Sequence, residues 1–138
     1  MTPVVAPENR RNHTTEGQAA FNPAAHKPVT HLEKLIFGRW LAAVVRCGDA
    51  DDEIERLEKL RRAHEGARVA TAAREAAATP EGRHLAQQAV RNWRKAVGAT
   101  TMPQTREITR ACERWERAVG IVDGLAEAYE LIIWERER

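Results

Sequence analysis

Arginines spaced along one helix face are the side chains of this sequence best suited to chemistry, and the chemistry they suit is phosphate binding. Arg106, Arg110, Arg114 and Arg117 follow one another at intervals of four, four and three. On a helix they fall in one row, roughly 5–6 Å apart. Arg83, Arg91, Arg94 and Lys95 form a second set. Planar, permanently charged donors in such rows can follow successive phosphates along a strand without reading a base. Glu107, Glu113 and Glu116 are interleaved with the first row, and Glu113 stands four residues before Arg117, a favourable order for a helical ion pair. A solvated, self-paired surface is the competing reading of that row. The second set has only Glu81 nearby, so the same explanation fits it less well.

Other chemistry finds few candidates. The histidines are His13, His26, His31, His64 and His84, and none forms an H-x3-H pair with a neighbouring Glu or Cys, so no metal site is expected. Serine is absent, which excludes a serine nucleophile. No nucleophile elbow, Walker loop, dinucleotide fingerprint or EF-hand loop is present. Cys47 and Cys112 fall at apolar helix positions and read as reduced core thiols rather than a disulfide. The expectation is a non-enzymatic protein without catalytic residues, cofactor or metal. Trp93 and Trp115 both read as core, and no helix-turn-helix, zinc-finger or RRM signature appears. Neither base-specific readout nor a stacking platform is expected.

These side chains need elements to position them, and the composition indicates helices. The chain has 138 residues, enough for one domain with one modest core. Its 43% of hydrophobic residues is weighted towards Ala, with two Phe and one Tyr, which favours an all-α fold. No run of 18 apolar residues exists, so no membrane span is expected. The N-terminus lacks a secretory h-region, and the expected setting is cytoplasmic. A net charge of +2 selects no partner, but its distribution is uneven. Residues 49–58 carry six acids against one Arg, residues 82–106 five bases and no acid, and residues 118–138 five acids against two Arg. The surface should be divided into basic and acidic regions.

Along the chain, residues 1–28 contain four prolines among polar residues. They read as an N-terminal arm, either dispensable or docking on a partner with Phe21 as anchor. Residues 29–138 form the predicted helical domain. A first helix opens on a Thr30/Glu33 capping box and stops at Gly48. A second, capped by Asp49, runs to about Ala78, with Glu55/Lys59 and Glu58/Arg62 as helical ion pairs. The third takes Thr79 as N-cap and Pro80 in its first turn, and ends at Val97 before Gly98. Its apolar stripe runs from Leu85 through Val90 and Trp93 to Val97, and its basic residues project the other way. The fourth is capped by Thr101 with Gln104. It carries a seam of Ile108, Cys112, Trp115, Val119, Val122, Ala126, Tyr129 and Ile133, spaced four and three in alternation. Four helices with short connections predict an antiparallel bundle.

A chain of this length, with long helices, outward basic faces, acidic patches elsewhere and no catalytic motif, resembles in format the small subunits of class 1 CRISPR effector complexes, the Cas11-like proteins. That resemblance covers residues 29–138. It implies a bundle that stacks along an RNA-guided antiviral ribonucleoprotein, with the 83/91/94/95 face and the 106/110/114/117 row supporting RNA or single-stranded DNA. It also implies other protein subunits as partners, and self-association in which the acidic 49–58 segment meets the basic surface of the next copy. The alternative is a helical adaptor or oligomerisation protein of a phage or other assembly, whose basic face meets acidic protein instead.

Overall fold

The computed structural model describes residues 21–138. Among them 84% are helical and none is in a strand, so the protein is all-α. After a short 3-10 turn at Pro23–Ala25 come three α-helices: α1 (His31–Ala76), α2 (Pro80–Val97) and α3 (Thr105–Arg136).

The expected first and second helices are therefore one, and the expected bundle of four has three members among the described residues. Gly48 and Asp49 looked like a stop and a cap, yet the only glycine with positive φ among the described residues is Gly98. Gly48 keeps a helical backbone at a cost of about 1 kcal/mol relative to Ala. What carries the helix through is the seam: Ala43, Cys47, Asp51, Ile54 and Leu57 are all buried, at spacings of four, four, three and three. A break at Gly48 would separate Cys47 from Asp51 and throw that face out of register.

The start of α1 follows expectation. The Thr30 hydroxyl accepts from the Glu33 N–H at 3.2 Å, and the Glu33 carboxylate accepts from the Thr30 N–H at 3.2 Å. The α2 limits also match, with the Thr79 hydroxyl accepting from the Gly82 N–H and Gly98 closing the end at φ 58°. The start of α3 does not. The helix begins at Thr105, and Glu107 accepts from the Gln104 N–H at 3.3 Å. Gln104 is thus the cap in place of Thr101. Pro103 explains the shift, because the residue before a proline is pushed out of the helical region.

The chain divides into two compact units, one comprising the described residues up to Glu53 with Arg110–Arg138, the other Ile54–Thr109. In the first, the N-terminal part of α1 runs antiparallel to α3. Glu33 meets Arg136 with 3.2 Å between Oε1 and Nη1, and Phe37 meets Tyr129 with ring centroids 5.7 Å apart. The α3 seam is the core here: Cys112, Trp115, Val122, Tyr129 and Ile133 are buried, and both cysteines are free thiols. Burial first, then the charges of Asp51 and Asp123, raise the Cys47 thiol pKa. The domain also begins earlier than residue 29. Pro23 is buried, Phe21 stacks on His26 with centroids 4.7 Å apart, and the Tyr129 hydroxyl donates to the His26 carbonyl at 2.6 Å. Phe21 is an anchor within this chain. The rest of the expected arm, residues 1–20 with His13, lies outside the described residues.

Glu33 ties the capping box to the end of α3, and it is fully buried. Its carboxyl is held below the usual value of 4.5 by the Thr30 hydroxyl first, against the opposing effect of burial, with the Thr30 N–H, Arg136 and the Val29 N–H adding to the lowering. A depressed carboxylate stabilises the fold above its unfolded pKa, and that contribution disappears as pH falls through the lower folded value. Urea midpoints should therefore fall on acidification below about pH 4.5. Glu33→Gln should flatten this acid limb while lowering the midpoint at neutral pH. An unchanged acid limb in E33Q would show that other carboxylates control it.

In the second unit the C-terminal part of α1 runs antiparallel to α2. Arg74 donates to the Gln87 side-chain amide oxygen at 2.8 Å, and His64 Nε2 lies 3.2 Å from the Thr100 hydroxyl. The core is Ile54, Leu57, Ala63, Ala70 and Val90. The small residue at Gly66 is required by packing, since a Cβ there would lie 2.5–2.9 Å from ring atoms of Trp93. Gly66→Ala should gain about 1 kcal/mol of helix propensity yet lose about 1–3 kcal/mol to overpacking. The expected net result is a lower urea midpoint, and a higher one would mean that the Trp93 ring moves aside freely.

Candidate nucleic-acid interface

All eight basic residues singled out by spacing are exposed. None makes an ion pair among the described residues. Where the sequence offered Glu113 as a partner for Arg117, the two do not pair, and Glu107 is engaged by the backbone at Gln104. In α1, Arg61 and Glu65 form a helical pair at 3.6 Å, whereas Lys59 and Arg62, expected to pair with Glu55 and Glu58, make none among the described residues. The self-paired reading of the α3 row loses its geometric support.

The structure does not keep the eight together as two uniform faces. On α2, His84, Gln88, Arg91 and Lys95 follow one another at spacings of four, three and four and are all exposed. Arg91 and Lys95 lie one turn apart, about 6 Å along the axis, and Arg83, the residue before His84, is also exposed. Thr79 and Pro80 start this helix so that its first-turn acid, Glu81, sits at the positive end of the dipole, while Arg94 and Lys95 occupy the last turn at the negative end. Arg94 and Lys95 are thus placed where the helix itself favours them, whereas Arg83 is in the first turn.

Arg94 is turned to one side. It lines a shallow cleft with His64, Arg68, Thr71 and Glu75 of α1. Sequence reasoning passed over Arg68 and the neighbouring His64. Their signal was present, because positions 64, 68, 71 and 75 repeat at four, three and four, but Ala63 and Ala70 drew attention to the adjoining stripe. The apolar side of α2 also differs from expectation. Val90 is fully buried, but Leu85 is 66% and Trp93 40% exposed. The α1 surface facing α2 is mainly alanine, so it is too narrow to cover the full apolar arc. Trp93 therefore leaves part of its ring in solvent, within the unit that carries the α2 cations.

The α3 row falls into two parts. Arg106 belongs to the second unit and Arg110, Arg114 and Arg117 to the first. Arg114 and Arg117 border a groove of about 450 Å³ between α1 and α3, lined also by Ala43, Arg46, Asp49, Ala50, Glu53, Ala118 and Ile121. The charges here are mixed, three arginines against Asp49 and Glu53, so the groove is less uniformly positive than the α2 face.

Among the described residues no group of three His, Cys, Asp or Glu side chains is placed to hold a metal ion, and no helix is long and apolar enough to cross a membrane. No known protein family, curated protein or solved structure matches the chain.

Proposed function

We propose that this protein is a non-enzymatic helical subunit that binds nucleic-acid backbone without sequence specificity through the exposed face of α2, within a larger ribonucleoprotein. One observation carries the reading: Arg83, Arg91 and Lys95 are exposed, make no ion pair among the described residues, and have no acid between residues 82 and 106. Arg91 and Lys95, unneutralised cations one helical turn apart, match the spacing of a phosphate backbone, and each contact releases condensed counterions. Arg94 with Arg68 extends the positive surface beside this face, in a cleft that also holds Glu75. The format shared with Cas11-like small subunits supports placing the protein in an assembly rather than alone.

The test is binding to an unstructured fluorescent oligonucleotide across a salt series. Three or four phosphate contacts predict a log–log slope of about −2 to −3 on a single strand, alike for unrelated sequences. Absence of binding at low salt would sink this reading and leave the adaptor alternative, in which the α2 face meets acidic protein.

A further inference from the structure

A helix that packs against one neighbour needs one seam facing it, yet both helices of the first unit carry a second row at the same spacing, mostly apolar on α3 and mixed in charge on α1. On α1 the buried seam is Ala43, Cys47 and Asp51. A second runs Leu35, Arg39, Ala42, Arg46, Asp49, Glu53, spaced four, three, four, three, four. On α3 the second seam is Arg114, Ala118, Ile121, Leu125, Ala128 and Ile132, with the same alternation. At 100° per residue each set spans roughly 80° of arc, the geometry of a coiled-coil contact. The two second seams lie on one side of the hairpin, because members of both line the same groove. That side is open: Leu35 is 44% and Ile121 45% exposed.

We propose that this groove is the contact between two copies of the chain, which pair their hairpins about a two-fold axis into a four-helix bundle. The charges identify the occupant. The α1 seam has its bases, Arg39 and Arg46, before its acids, Asp49 and Glu53. Antiparallel pairing of this seam with itself, with the axis crossing between Ala42 and Arg46, sets Arg39 opposite Asp49 of the second copy, and the symmetry makes that pair twice. Within the chain neither Arg39 nor Asp49 makes an ion pair among the described residues. Small residues at Ala42, Ala50 and Ala118 allow the close approach such packing needs. The mixture of Arg46, Arg114 and Arg117 with Asp49 and Glu53 suits a self-complementary contact better than a uniformly negative phosphate chain. The inference stands independently of the α2 reading, since it uses other residues in the other unit.

Analytical ultracentrifugation of the full chain tests it. The expected result is a monomer–dimer equilibrium in the micromolar range. Ile121→Glu, at an exposed position that leaves the buried seam intact, should abolish the dimer while circular dichroism stays unchanged. Arg39→Glu and Asp49→Arg should each weaken dimerisation by roughly 10-fold, since each turns two attractions into repulsions. The double variant R39E/D49R should restore it, because the swapped charges meet again across the axis. A monomer throughout the micromolar range overturns the proposal. So does a dimer indifferent to Ile121→Glu, a double variant no better than the singles, or a ladder of higher oligomers, which signals a head-to-tail contact.

Discussion

Reversing Arg91 and Lys95 together to Glu is expected to lower oligonucleotide affinity roughly 100-fold at low salt and to reduce the salt slope by about 1.4, the contribution of two phosphate contacts on a single strand. Each reversal removes an attraction and adds a repulsion at the same place. Both side chains are exposed on α2 without an ion pair among the described residues, so the fold should tolerate the change and unfolding midpoints should stay close to the parent. The comparison that gives the result meaning is Lys59→Glu with Arg62→Glu, the same change in net charge at two exposed α1 residues that likewise make no ion pair. If this control loses as much affinity, the protein is responding to total charge and the α2 face is no site. If affinity falls only with the α2 pair, and equally for unrelated sequences, the contact is with backbone. A loss confined to particular sequences would instead show base readout, which the α2 face was not expected to provide.

How far the sequence foretold this structure depended on whether a residue's meaning was local. The Thr30/Glu33 box, the Thr79–Pro80 start and the Gly98 stop were legible because each is a bond or a dihedral between near neighbours. Gly48–Asp49 misled for the same reason. Glycine followed by aspartate is a good stop and a good cap, but both residues are tolerated inside a helix when the seam on either side continues in phase. That phase was readable: Cys47 and Ile54 are one heptad apart. What hid it was Asp51, an acid at a seam position, buried in the structure although its type suggested solvent. Leu85 and Trp93 misled in the opposite direction. Periodicity gives the width of the apolar arc on α2 but not the width of the alanine-rich surface that meets it, and the narrower partner decided what was covered. The candidate site shows the same limit. Spacing found the cations and exposure agreed with it. Only tertiary structure could show that Arg114 and Arg117 share a groove with Asp49 and Glu53, or that Arg68 and His64 converge on Arg94.

The largest stability effect is expected at Trp115. Its side chain is 95% buried in the α3 seam, where truncation to Ala removes most of an aromatic ring's burial and leaves a cavity. Trp115→Ala should cost about 3–5 kcal/mol, a large share of the 5–15 kcal/mol typical of a domain, and α3 should lose its hold on α1. Trp115→Phe should behave very differently. The indole Nε1 is buried with no hydrogen-bond partner, and an unsatisfied buried N–H costs about 1–3 kcal/mol. Phe forfeits part of the ring area but also abolishes that penalty, and the two terms are of similar size. Urea unfolding should therefore place W115F within about 1 kcal/mol of the parent, with W115A far below both. A W115F midpoint as low as that of W115A would mean that the N–H is not a liability but a bonded group. Full recovery in W115F would show that the seam selects a large aromatic ring for its volume, with the indole nitrogen contributing nothing to the fold.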